Sequence, residues 1–122
     1  MDWIAQVFDE FGRGMGMAGL VLPQSGSLDL TIGDRDTISF ERGPDDVIAC
    51  MKALLPTVRL EHLEKSLTFC HYRNQAELPL QIGLWNDDIL IIVRIRNALV
   101  SVYTLHQAYN KLLGLNSDLH TL

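Results

Sequence analysis

The segment Ile89–Ile95, which reads Ile-Leu-Ile-Ile-Val-Arg-Ile, limits the possible folds of this chain more than any other stretch. Alternate residues of a β-strand point to opposite faces, so the odd-numbered positions form one face that is entirely apolar. On the other face, Leu90 and Ile92 are apolar, whereas Arg94 and Arg96 are charged. Such a strand needs cover on both faces at its beginning, and a chain of 122 residues usually covers only one face of a sheet with its own helices. The second face therefore predicts a partner, and with it a binding protein.

Composition and charge argue against several other classes of protein. With 48% hydrophobic and 20% charged residues, the chain has the composition of one globular domain spanning residues 1–122. The net charge of −5 and the scattered Lys and Arg residues argue against a nucleic-acid partner. No apolar run is long enough for membrane insertion, and no basic region precedes the first apolar residues. We therefore expect a cytoplasmic protein.

Hydrophobic periodicity predicts three helices and five strands in the order α-β-β-β-α-β-β-α. Apolar residues recur at helical spacing near both ends and in the middle of the chain, and they alternate with polar residues elsewhere. The first predicted helix begins at Trp3 and ends among Gly12, Gly14 and Gly16, and the second covers Thr57–Tyr72. The third is a C-terminal segment with Thr104 and Gln107 as a candidate capping box. The predicted strands cover Ser27–Ile32, Thr37–Glu41, Val47–Leu55, Leu80–Leu84 and Ile89–Ile95.

The segment Val47–Leu55 fits two structures, because its apolar run could form either a strand or a helical turn before Pro56. We favour a strand, since a two-stranded sheet is marginal by itself. The middle helix is also unusual. Its stripe of Leu60, Leu63, Leu67 and Cys70 leaves Phe69 and Tyr72 outside it, which predicts apolar residues on more than one side.

The sequence contains no strong catalytic or metal-binding motif. Gly14-Met15-Gly16-Met17-Ala18-Gly19 matches the dinucleotide pattern G-x-G-x-x-G, but a predicted helix precedes it where the motif requires a strand. The four histidines have no zinc-ligand spacing, and the paired aspartates fall at predicted turns. We predict no catalytic residue, no metal ion and no cofactor. The competing hypothesis is a small α+β ligand-binding domain or a thiol enzyme that uses Cys70 with a distant histidine.

Several local strings resemble the small acidic class I chaperones of bacterial type III secretion, and specifically the SycN type. These strings are Met1-Asp2-Trp3-Ile4, Leu78-Pro79-Leu80 followed by Gly83 and Trp85, and Leu105-His106-Gln107-Ala108 with Leu112-Leu113. The resemblance extends over nearly the whole chain and is weakest over residues 43–57. It implies an α+β fold with a twisted antiparallel sheet of about five strands and three helices, which forms dimers through the middle helix and the late strands.

The resemblance also implies partners and binding residues. Members of this class bind the N-terminal region of a secreted protein in extended form, without ATP, before export. The SycN type implies a heterodimer with a YscB-like chaperone, in preference to a homodimer, and a YopN-like gatekeeper as cargo. The predicted dimer-interface residues are Leu60, Leu63, Leu67, Phe69, Tyr72, Trp85, Ile89 and Ile91. The predicted cargo-binding residues are Trp3, Ile4, Val7, Phe8, Leu20, Leu22, Leu28 and Leu30.

Two points stay open at this stage. A homodimeric chaperone for a toxin fits the same residues as a heterodimeric chaperone for a gatekeeper. The residue pattern also does not decide which apolar surface contacts cargo and which contacts a second subunit.

Overall fold

The helices and strands follow the predicted order. A computed structural model describes residues 2–33, 35–70 and 78–122. The helices are α1 (Trp3–Gly14), α2 (Leu60–Phe69) and α3 (Val102–His120), with a short 3₁₀ turn at Asn97–Leu99. The strands are β1 (Ser27–Ile32), β2 (Asp36–Arg42), β3 (Asp46–Ala53), β4 (Leu80–Trp85) and β5 (Asp88–Arg96). The predicted order is confirmed, and the ambiguous apolar run after Asp46 is a strand.

All five strands form one antiparallel sheet in the order β1-β2-β3-β5-β4. The central strands β3 and β5 pair along their whole length, and β1 and β4 are the edge strands. A two-residue turn, Asn86-Asp87, joins β4 to β5, and both residues have positive φ angles of 49° and 67°. These angles match a type I′ turn, which favours Asn and Asp and closes a tight hairpin.

The hydrophobic core lies on one face of the sheet, which we call the core face. Phe8 and Phe11 of α1 pack edge-on against Phe40 of β2, with ring centroids 5.2 and 6.2 Å away. The inner stripe of α3 is completely buried, and it consists of Leu105, Ala108, Leu112, Leu115 and Leu119. The helices α1 and α3 pack against each other, while α2 packs against α3 and the edge strand β4.

The odd-numbered residues of β5 belong to this core. Ile89, Ile91, Val93 and Ile95 all have 0% exposure, because α3 packs directly on β5 and β3. The prediction that Ile89 and Ile91 form a dimer interface is therefore wrong. The sequence pattern identified two apolar faces correctly, but the chain's own helices cover the fully apolar one.

The helix ends differ from the predicted ones in two places. Ser101 is the N-cap of α3, and its hydroxyl accepts a hydrogen bond from the Thr104 N–H at 3.1 Å. Thr104 is thus the third residue of the helix and not its cap, because its hydroxyl accepts in return from the Ser101 N–H at 2.9 Å. Helix α2 begins at Leu60 and not at Thr57.

The glycine run after α1 is a helix-terminating motif. Gly16 has a φ angle of 79°, its N–H donates to the Arg13 carbonyl, and the Met17 N–H donates to the Gly12 carbonyl. This pair of bonds is the Schellman arrangement, for which glycine is favoured at the left-handed position. The chain then continues into a loop through Gly19, so no strand-turn-helix unit surrounds the G-x-G-x-x-G match.

Asp2 links the start of α1 to the sheet, and this predicts acid sensitivity. Its carboxylate accepts from the Ala5 N–H at 3.3 Å and pairs with Arg42. The hydrogen bond from Arg42 is the main reason that the pKa of Asp2 lies below its usual value. The ionised carboxylate therefore stabilises the fold above the usual aspartate pKa of about 4, and this contribution is lost as the pH falls through the lowered folded pKa.

We expect Asp2→Asn to be less stable than the unmodified chain at pH 7 and to lose less stability on acidification. The amide oxygen still caps α1 but cannot form the ion pair with Arg42. Urea unfolding of both chains between pH 7 and pH 3 measures this. A stability difference that stays constant over that range would contradict the proposed role of the ion pair.

Across the three described ranges, no helix is both long and apolar enough to cross a lipid bilayer. Within those ranges, no three histidine, cysteine, aspartate or glutamate side chains are grouped as metal ligands would be.

Candidate protein-binding surfaces

Helix α2 exposes two of its three leucines and buries two polar residues. Leu60 and Leu67 are 70% and 68% exposed, whereas His62 and Ser66 are buried. The two buried polar side chains are satisfied by the backbone of this segment: His62 Nδ1 accepts from the Arg59 N–H, and Ser66 Oγ donates to the His62 carbonyl, both at 2.8 Å. Leu63 and Phe69 are partly buried against the core. An outward leucine face of this kind is typical of a protein–protein contact.

The end of strand β4 adds further exposed apolar area at the same edge of the sheet. Leu84 is 62% exposed and lies on the core face, beside the edge where α2 packs. We define the α2–β4 surface as Leu60, Leu67 and Leu84. Trp85 is 60% exposed, but the alternation along β4 places it on the opposite face from Leu84. Tyr72 lies outside the described residues.

Opposite charges flank the α2–β4 surface. A pocket of 360 Å³ near the start of β4 is lined by Lys65, Thr68, Phe69, Leu80 and Lys111. A pocket of 520 Å³ near the end of β4 includes Asp87 and Asp88 together with Leu84 and the chain before α2. A partner that crosses this surface therefore meets lysines at one end and aspartates at the other.

The predicted cargo-binding residues divide into exposed and buried groups. Trp3 is 47% exposed, and Val7, Leu20 and Leu28 are partly exposed. The prediction is wrong for four others, because they are packed into the core of the chain itself: Ile4, Phe8, Leu22 and Leu30 have exposures of 6%, 0%, 2% and 5%. We define the α1–loop surface as Trp3, Val7, Leu20, Val21 and Leu28.

Val21 is not in the list of predicted cargo-binding residues, yet it is 65% exposed. Its neighbours explain the difference. Leu20 lies so close to Gly12 of α1 that a Cβ at position 12 would be 2.9 Å from the Leu20 Cβ. Leu22 is buried, so Val21 between the two faces solvent. The alternation of packed and exposed side chains along residues 20–22 could have predicted the exposure of Val21. That prediction would have required knowing that the loop packs on α1.

The two cysteines have the properties of packed side chains. Neither forms a disulfide, and burial raises the pKa of the Cys70 thiol. Burial also raises the pKa of Cys50, with further contributions from the carboxylates of Glu41 and Asp29. A thiol nucleophile requires the opposite shift, because the thiolate is the reactive form.

We expect both thiols to react with iodoacetamide more slowly at neutral pH than the same thiols in the urea-unfolded chain. Single variants Cys50→Ser and Cys70→Ser separate the two rates. A Cys70 thiol that reacts faster in the folded chain would instead support the thiol-enzyme hypothesis.

Comparison with solved structures finds the same fold in type III secretion complexes. A chain of the HopA1–SchA chaperone–effector complex matches with a TM-score of 0.78 and 15% identity, covering 96% of this chain and 92% of that one. A chain of the ExsC–ExsE complex matches with a TM-score of 0.77 and 12% identity, covering 100% and 96%. A chain of the complex of Yersinia pestis SycH with a YscM2 fragment matches with a TM-score of 0.73 and 16% identity, covering 95% and 98%.

Among curated protein sequences, none matches significantly. A family model does match, over residues 3–120, and it is described as the type III secretory system chaperone SycN. This match includes all three helices and all five strands described above. The chain belongs to the SycN family of type III secretion chaperones.

Proposed function

We propose that this chain is one subunit of a cytoplasmic chaperone dimer that binds the N-terminal region of a secreted YopN-like gatekeeper. The dimer holds this region in extended form without ATP and keeps it soluble and competent for export. The observation that carries the proposal is that the described part of the chain has two separate exposed apolar surfaces, the α2–β4 surface and the α1–loop surface. A chaperone subunit needs both, one for its sister subunit and one for its cargo.

The α2–β4 surface is the proposed contact with the sister subunit, a YscB-like chaperone. Its leucines supply the apolar area, and its ends carry Lys65 and Lys111 on one side and Asp87 and Asp88 on the other. A sister subunit of the same fold, docked in the antiparallel orientation, fits best if it carries the same order of charges, because its aspartate end then meets the lysine end of this chain. Complementary charges of this kind favour one register over others.

The α1–loop surface is the proposed contact with cargo. It lies toward the β1 edge of the sheet, whereas α2 packs at the β4 edge, so one partner does not obstruct the other. Among the described residues, strand β1 pairs only with β2, which leaves its outer backbone groups available for an added strand. In this proposal the exposed side chains of Trp3 and Val21 supply further apolar anchors for cargo. Ordering an extended segment costs roughly 2–5 kcal/mol, which an added strand together with these anchors can offset.

Co-expression tests the proposal directly. The chain is produced with a YscB-like subunit and with the N-terminal 100 or so residues of a YopN-like gatekeeper, and the products are sized by light scattering. We expect a ternary complex in which the gatekeeper segment is protected from the solvent and is extended, without a globular core of its own. A monomer that binds neither protein overturns the proposal.

The same experiment tests the alternative hypothesis that the chain is a homodimeric chaperone for a toxin. This alternative has one supporting observation: the opposite charges at the two ends of the α2–β4 surface are complementary to themselves under a two-fold rotation. If the chain alone sizes as a dimer and does not exchange into a heterodimer, the homodimer replaces the YscB-like pairing.

A further inference from the structure

The start of helix α2 lacks the hydrogen-bond acceptor that a helix N-terminus normally has. Its N-cap is Arg59, a side chain with donors only, whereas Ser, Thr, Asp and Asn are the usual caps. The N–H groups of Leu60 and Glu61 have no acceptor among the described residues. These N–H groups and the dipole of the ten-residue helix give this end a partial positive charge, which favours an anion.

A buried histidine is a second, independent sign of a ligand at this place. His62 is 4% exposed, and its Nδ1 accepts from the Arg59 N–H at 2.8 Å. A nitrogen that accepts carries no proton, so the proton of the ring is on Nε2, which is a donor. This donor has no acceptor within the described part of the chain. An unpaired donor on a side chain this buried costs free energy that a bound acceptor would recover.

A pocket of 330 Å³ lies between the start of α2 and the end of α3. Arg59 and His62 form its polar side, and none of the described residues that line it is acidic. His120 is a fixed part of the wall, because its ring nitrogens contact the carbonyl oxygens of Asn116 at 2.7 Å and Leu54 at 3.0 Å. The apolar walls are Leu55, Pro56, Leu119 and Leu122.

The guanidinium of Arg59 points toward this pocket. It donates to the carbonyl oxygen of Leu122 at 2.8 Å, and Leu122 lines the pocket. Its contact with the Glu61 carboxylate is long, at 3.9 Å, and both side chains are about half exposed or more, so solvent weakens this pair. The other N–H groups of the guanidinium can bind a carboxylate at two points.

We propose that this pocket binds the C-terminal residue of a polypeptide. The carboxylate of that residue lies against the start of α2, Arg59 and His62, and an apolar side chain lies against Leu55 and Leu119. Capture of a terminal carboxylate by backbone N–H groups is a recurring mode of peptide recognition. The proposal goes beyond the proposed function, because the site requires neither a sister subunit nor the extended segment of the cargo.

The size and lining of the pocket favour this ligand over other anions. Ligand pockets measure about 300–1,000 Å³, and a pocket at the lower end of this range fits one residue better than a nucleotide or another large cofactor. The apolar walls favour a ligand with an apolar side chain over inorganic phosphate. A free amino acid would bring an ammonium group close to Arg59, and no acidic residue of the lining would bind it.

N-acetyl-leucine, which reproduces the end of a peptide, tests the proposal on the purified full chain. Its binding is followed by NMR through the backbone amide signals of Leu60 and Glu61. We expect saturable shifts of both signals. N-acetyl-leucinamide has the same side chain without the carboxylate and should bind about tenfold more weakly, because a hydrogen bond to a charged group is lost. Acetate, which has no apolar side chain, and free leucine should also bind more weakly.

Two substitutions identify the donors. Arg59→Gln should lower the affinity for N-acetyl-leucine by about tenfold. The matched control is Arg13→Gln, which removes the same charge from a 71% exposed side chain on α1 and should leave the affinity unchanged. His62→Asn keeps an acceptor for the Arg59 N–H, removes the Nε2 donor and should also lower the affinity. Arg59 is about half exposed, so its variant tests the site even if His62→Asn fails to fold.

Three results would overturn the proposal. The first is equal affinity for N-acetyl-leucine and its amide, and the second is unchanged affinity in Arg59→Gln. The third is tighter binding of free leucine than of N-acetyl-leucine, which would identify a free amino acid as the ligand. A chain that assembles with a sister subunit and gatekeeper but does not bind N-acetyl-leucine contradicts this proposal and leaves the proposed function intact.

Discussion

Replacing Leu67 with glutamate should leave the chain folded and prevent it from assembling with the proposed sister subunit. Leu67 is 68% exposed, so the new carboxylate is fully hydrated in the isolated chain and costs little stability. In the dimer it would be buried in an apolar contact without a partner. Truncation or charging of a central interface residue typically costs about 2–4 kcal/mol, which corresponds to a loss of about 30- to 1,000-fold in affinity.

Light scattering and thermal unfolding together measure this effect. The control is Val21→Glu, which charges an equally exposed apolar residue on the α1–loop surface and should leave assembly unchanged. A Leu67→Glu chain that still assembles with wild-type affinity would remove α2 from the interface. The double variant with Leu84→Glu should lose assembly completely if both residues contact the same partner.

The order of the elements could be predicted from the sequence because it depends on local periodicity. The spacing of apolar residues within a short segment indicates whether that segment is a helix or a strand. Each segment has the predicted type of secondary structure. The N-cap of α1 is equally local, because the Asp2 carboxylate accepts a hydrogen bond from the Ala5 N–H three residues further along the chain. The cap of α3 shows the limit of such signals, since Ser101 and Thr104 both fit the pattern and only the geometry separates them.

The direction in which each apolar face points could not be predicted, because it depends on the other elements. A leucine stripe on a helix usually faces the core, yet α2 turns Leu60 and Leu67 outward and His62 and Ser66 inward. In β5, the predicted dimer-interface residues Ile89 and Ile91 lie on the face that α3 covers. The half-apolar face with Leu90 and Ile92 is partly exposed. Ile89→Asp should therefore unfold the chain and not merely block its assembly.

Two aromatic residues of helix α1, Phe8 and Trp3, allow the effect of a substitution on stability to be measured separately from its effect on cargo binding. Phe8 has 0% exposure and packs against both Phe11 and Phe40, with ring centroids 6.5 and 5.2 Å away. Trp3, on the same helix, is 47% exposed and is absent from the core cluster. Phe8→Ala should lower the free energy of unfolding by about 3–5 kcal/mol, as expected for a large cavity among packed rings.

Trp3→Ala should give the opposite pattern, with a stability change within about 0.5 kcal/mol and a loss of about 10- to 100-fold in affinity for the gatekeeper segment. Urea unfolding measures the first quantity and titration calorimetry the second, on each variant. If Trp3→Ala destabilises the fold as strongly as Phe8→Ala, Trp3 belongs to the core. If it changes neither quantity, cargo does not contact this end of α1, and the exposed aromatic side chain has no part in binding. A decrease in affinity alone places an anchor of the extended cargo segment at the start of α1.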